Sequence, residues 1–157
     1  MENIRAKASL EIIAALGQGG VRHLIVEGFA VNAHGYERST NDLDIWSDPS
    51  ESNQKKLKAV LSELGFDTSP IDHVDLRGKS PVKVTHHGLY VDIMADLPGV
   101  PDFDAAYSQC LEVKNGGLEW RFVGYDDLIR SKEAARRLQD WLDIAKLKET
   151  NASDDKE

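Results

Sequence analysis

A chain of 157 residues, 41% hydrophobic and 29% charged, has the size and balance of one globular domain with a single core of moderate size. Its net charge of −8 excludes a protein that coats nucleic acid through its overall field, while leaving room for a local basic pocket. The one cysteine, Cys110, excludes an internal disulfide and a cysteine-rich zinc site. Met1 to Arg5 lack the apolar run of a signal peptide and no stretch reaches membrane-span length, so a cytoplasmic protein without a membrane span is expected.

Residues 3 to 16 carry Ile4, Leu10, Ile13 and Leu16 near the helical period, and Gly17, Gly19 and Gly20 are expected to stop that helix. His23 to Val26 reads as a short buried strand ending at Glu27-Gly28, followed by a brief helix over Phe29 to His34. From Asp42 to Trp46 aliphatic residues alternate with polar or aromatic ones, which predicts a strand with one buried face. Glu51 to Leu64 forms a helical stripe of Leu57, Val60, Leu61 and Leu64, stopped by Gly65. Residues 81–87 and 89–95 predict a hairpin, and residues 111–113 and 118–123 a second one around Asn115-Gly116-Gly117. Between the hairpins, Asp102 and Asp104 precede a short helix through Cys110. Asp126 to Leu147 reads as two helices parted near Arg136-Arg137. The whole predicts an α+β fold: one domain over 1–149 with a mixed sheet flanked by helices, and a frayed polar tail over 150–157.

Asp42 and Asp44 lie two apart on a strand, so both carboxylates point to one face while Leu43 and Ile45 point into the core. Two such charges repel unless a cation sits between them, and Mg²⁺, with Mn²⁺ as the alternative, accepts this all-oxygen donor set. The spacing alone is weak, because Asp102 and Asp104 share it and read as a helix N-cap with a first-turn acid. What distinguishes Asp42 and Asp44 is the alternation around them and the order of strand, Gly28, short helix and Arg38-Ser39-Thr40 upstream.

That order resembles the nucleotidyltransferase superfamily, in which a strand ends in Gly-Gly or Gly-Ser, a short helix follows, and a later strand bears Asp-x-Asp. Here the matching residues are Gly28-Phe29 and Asp42-Leu43-Asp44. The resemblance implies a third carboxylate on an adjacent strand. Asp92, between Val91 and Ile93, is the natural match, and Asp96 is its competitor. It also implies that Gly28 and the helix after it face nucleotide phosphates, which suits exposed N–H groups. The segment from Gly124 to Asp140 is similar to the tail of minimal nucleotidyltransferases related to AbiEii-type toxins. Lys132, Arg137, Asp140, Asp143 and Leu147 fall on matching positions. By this resemblance Lys132 approaches the phosphates, and Arg137 and Asp140 line the pocket or bridge two helices. Phe29 departs from the small residue expected after Gly28, and Arg136, Leu138 and Gln139 replace the Gly, Pro and Lys of the tail.

The implied function is a Mg²⁺-dependent transfer of a nucleoside monophosphate from an NTP to a protein hydroxyl or RNA end, with a toxin or antitoxin partner. Asp42, Asp44 and Asp92 would bind metal, and Gly28, Phe29, Arg38, Ser39, Thr40 and Arg137 the substrate. The alternative is a nucleotide-binding or partner-binding module of the same fold. Trp46 and Tyr90, expected on the carboxylate face, read as packing or as a platform for a base. His34, His86 and His87 read as structural.

Overall fold

In the computed structural model, which describes residues 4–40, 42–72 and 80–155, the chain builds a six-stranded mixed sheet with helices around it. Residues 1–3, Asn41 and residues 156–157, on which parts of the sequence reading fell, lie outside the described residues.

The centre of the sheet is β1 (His23–Val26), whose four residues are all buried, beside β2 (Leu43–Ser47). Between them the chain makes α2 (Glu27–Ala33), and before them α1 (Ile4–Gln18). Chain order continues through α3 (Glu51–Glu63), α4 (Ser69–Asp72), β3 (Val82–His86), β4 (Leu89–Met94), α5 (Phe103–Ser108), β5 (Leu111–Asn115), β6 (Leu118–Phe122), α6 (Tyr125–Ala135) and α7 (Leu138–Asp155). Strand order is β3-β4-β2-β1-β6-β5. The β1–β2 pair and both outer hairpins are antiparallel, whereas β2–β4 and β1–β6 are parallel.

The reasons for these elements are local. Ser50 caps α3 by accepting from the Asn53 N–H, and Asp102 caps α5 by accepting from Asp104 and Ala105. The first hairpin turns at His87-Gly88 and the second at Gly116-Gly117, with both glycines of the second at positive φ. The break between α6 and α7 falls at Arg136, which adopts the left-handed conformation (φ 58°) and donates its N–H to the Lys132 carbonyl. The core gathers Leu24, Ile25, Leu43, Ile45, Val91 and Ile93 from the sheet with Ile13, Leu16, Leu57, Leu61, Leu128 and Leu147 from the helices.

Four details differ from the sequence reading. Gly17 lies inside α1, which closes only near Gly20 at φ 76°. Glu27 and Gly28 open α2 rather than ending β1. The short helix α4 has no counterpart in the reading. Helix α7 continues to Asp155, past residue 150 where a frayed tail was expected.

Candidate active site

The parallel register of β2 and β4 sets Asp44 directly beside Asp92. At that spacing a protonated Asp44 can donate a hydrogen bond to Asp92. Burial, followed by the negative charges of Asp92 and Glu27, pushes the Asp44 carboxyl up to about 8, with Asp42 adding a smaller push. Asp42 itself is exposed, one residue ahead of β2. All three acids line a cleft of about 650 Å³. Lys83 also lines it, 3.8 Å from the Asp92 carboxylate, with its ammonium 4.9 Å from the Tyr90 ring centroid. Among the described residues, no three His, Cys, Asp or Glu side chains are gathered as a ready cage for a metal ion. Asp96 is exposed and does not line the cleft.

The cleft's other charged groups, Lys132, Arg137 and Arg38, are neutralised by acids. The Lys132 ammonium is 3.0 Å from Asp140, 3.0 Å from Asp143 and 3.4 Å from Glu27. Burial alone would pull Lys132 down, but the Glu27 charge and the hydrogen bonds to Asp143 and Asp140 hold it above its usual range. Asp140 and Asp143 are held below the usual carboxylate range: burial opposes this, and bonds from Arg137 and Lys132 to the first, and from Arg38, Lys132 and Gln139 to the second, outweigh it. Arg137 bonds Asp140 through Nε at 2.8 Å and Glu27 at 3.2 Å, so it both lines the cleft and ties α7 to the start of α2. Arg38 grips Asp143 with two parallel bonds of 2.9 and 3.0 Å, a strong geometry for a guanidinium and carboxylate.

Gly28 has a steric reason to be glycine. A Cβ there would stand 2.4 Å from the Thr40 Oγ1 and 2.9 Å from its Cβ. We expect Gly28→Ala to lose about 1–2 kcal/mol through overpacking, and Thr40→Gly in the same chain to recover most of that loss, as measured by urea denaturation of the double-mutant cycle. Phe29, expected to meet substrate, is instead buried in the hydrophobic core and does not line the cleft. Ser39 is exposed outside the cleft lining, whereas Gly28, Arg38, Thr40 and Arg137 are part of it. Trp46 does share the strand face of Asp44, but it is buried edge-on against Phe103 of α5, 5.0 Å between ring centroids, and outside the cleft lining. Tyr90 is exposed. His34 is structural, bonded to the Val123 carbonyl at 2.7 Å.

Sequence reasoning missed Glu27. It is one of three non-glycine residues at positive φ among those described (φ 57°), a conformation that costs ~1–2 kcal/mol for an ordinary L residue. Its carboxylate reaches both Lys132 and Arg137. The available signal was a charged residue placed between a buried strand and a glycine.

No family model matches the sequence, and no curated protein matches it either. Solved structures do match its shape. A Thermotoga maritima protein provisionally described as a nucleotidyltransferase superposes with a TM-score of 0.59 at 13% identity, over 96% of this chain and 90% of that one. The lincosamide antibiotic adenylyltransferase LnuA, solved with lincomycin bound, gives 0.60 at 16% identity, over 94% of this chain and 97% of that one. ANT(2″)-Ia, in complex with adenylyl-2″-tobramycin, gives 0.61 at 16%, over 98% and 92%. The chain therefore has the nucleotidyltransferase fold.

Proposed function

We propose that the protein transfers a nucleoside monophosphate from an NTP to an acceptor hydroxyl. The observation that carries this reading is the Asp44–Asp92 pair, set side by side on adjacent strands of a nucleotidyltransferase fold and lining a cleft that Lys83, Lys132, Arg38 and Arg137 also line.

Two carboxylates forced to share a proton suit a divalent cation, which replaces the proton with a charge that satisfies both. Asp44 and Asp92 would hold Mg²⁺ or Mn²⁺ with Asp42 turning in from the strand's start, and phosphate and water oxygens would supply the other ligands. When bound, the metal supplies charge stabilisation to the transferring phosphoryl group. The chain's own residues do the rest by position. The Gly28–Thr40 contact brings the backbone of α2 close to the cleft, Arg137 and Lys132 receive the β- and γ-phosphates, and a carboxylate of the pair takes the proton of the acceptor hydroxyl. The acceptor oxygen bonds to the α-phosphorus as the bond to the β-phosphate breaks, and pyrophosphate leaves.

The two antibiotic-modifying structures support a hydroxyl-bearing acceptor, by analogy of fold. The tail resemblance extends the proposal to a toxin–antitoxin setting, in which the acceptor is a protein hydroxyl or an RNA end. A second reading, a nucleotide-binding module without transfer, draws support from the neutralisation of Lys132 by three carboxylates.

Incubation with Mg²⁺ and each labelled NTP, alone and with lincosamide, aminoglycoside, total RNA or lysate, tests the proposal. Label should move to an acceptor, and Asp92→Asn should remove the signal. Saturable NTP binding with no transfer to any acceptor supports the second reading, and an absence of metal-dependent NTP binding sinks both.

A further inference from the structure

Three carboxylates surround the Lys132 ammonium, and they are not alike. Asp140 and Asp143 have side chains 1% and 0% exposed, and each is fixed by further bonds, from Arg137 to the first and from Arg38 and Gln139 to the second. Glu27 is 25% exposed, and its contact with Lys132, at 3.4 Å, is the longest between charged groups in the cluster, with a second bond of 3.2 Å from Arg137. Lys132 is itself only 1% exposed although it borders the cleft. Its one partner with access to solvent is therefore Glu27.

We propose that Glu27 is a positioning residue that stands in for a phosphate group: its carboxylate occupies, on Lys132 and Arg137, the place that a phosphate of the bound nucleotide takes, and it swings aside on loading. The inference rests on the reading of the cleft as a triphosphate site. Charge arithmetic supports the exchange. Lys132, Arg137 and Arg38 face Glu27, Asp140 and Asp143 one for one, so the cluster is neutral as it stands. With Glu27 withdrawn the cluster is one positive charge in excess and Lys132 opens to the cleft, ready for a multiply charged anion. Asp140 and Asp143 cannot play this part, because moving either would strip a buried carboxylate of several donors at once. The place of Glu27 also fits, since the corner between β1 and α2 lets its side chain turn without disturbing a helix interior.

A carboxylate that must first leave lowers the apparent affinity of the site by the fraction of molecules in which it has left. Removing its charge should raise that affinity about tenfold, the equivalent of one such contact. The probes are inorganic tripolyphosphate and ATP, titrated with Mg²⁺ into the whole protein and into Glu27→Gln by calorimetry. Glu27→Gly, which suits the left-handed backbone at this position, replaces the glutamine variant if that one does not fold. Tighter binding of both probes supports the assignment. Equal or weaker binding alongside a lowered Tm makes Glu27 a structural tie and overturns the assignment, leaving the cleft reading intact. Failure of the wild type and the variants alike to bind either probe overturns the cleft reading, and the role of Glu27 with it.

Discussion

Asp44→Asn should abolish nucleotidyl transfer and, in the metal-free protein above pH 8, raise the melting temperature. The loss of activity, at least ~10³-fold, follows from removing a charged ligand from the proposed metal pair. The gain in stability follows from the proton. Asp44 titrates at about 8 in the folded chain against an ordinary 3.8, so between these values the native state binds one proton more than the unfolded state. The associated stability is fully present below the ordinary value and is lost as pH rises through the folded one. The ceiling on this loss is roughly 6 kcal/mol. Asp44 lines an open cleft whose water screens the charge, so we expect about 2 kcal/mol, or ~5 °C. Asparagine cannot ionise and escapes the loss. Thermal melts in EDTA at pH 5, 7 and 9 should show the wild type falling relative to the variant, and parallel profiles would remove the shared proton from the account.

Lys132→Met should lower stability by ~3 kcal/mol at pH 7, about 10 °C in Tm. The side chain is of similar length and fills the space, so the effect is electrostatic. Asp140 and Asp143 are buried carboxylates that each lose a charged donor. The folded state depresses both, so their contribution is present above the ordinary carboxylate value and is lost as pH falls through the folded one. The gap between wild type and variant should therefore narrow in acid. Adding Asp140→Asn to Lys132→Met should restore part of the loss at pH 7. A lysine engaged only with substrate would give another result: unchanged urea denaturation and an altered KM.

Much of this was legible in the residues, and the limits have physical causes. The alternation at Asp42–Trp46 and around Asp92 reports which way each side chain points, because the strand period is two. It carries no register, and the pairing of Asp44 with Asp92 belongs to two strands separated by α3, α4 and β3. Alternation put Trp46 on the face of Asp44 correctly, yet it could not see that Phe103, far along the chain, covers that end of the strand. The capping role of Asp102 was readable because a cap acts within three residues. Of the Lys132 cluster the Arg137–Asp140 bridge was readable within the tail, but the meeting of Glu27, Lys132 and Asp143 was not, since they sit on α2, α6 and α7 and come together only because Arg136 breaks the helix between the last two. Phe29 looked like an obstruction when aligned with the small residue of the resembled signature. Once the backbone is known, the unusual position is Glu27, two residues earlier, with the conformation that glycine favours.

The two halves of the cleft differ in how they would fare in a lineage that stopped using them. The Lys132 cluster joins three helices and protects the fold, so selection for folding alone retains it whether or not a nucleotide ever arrives. The Asp44–Asp92 contact does the reverse: it weakens the chain, and a single base change to asparagine at either position relieves it. Drift would erase such a pair early. A pair of this kind would be kept by the metal and nucleotide that the proposed function assigns to it, and not by folding.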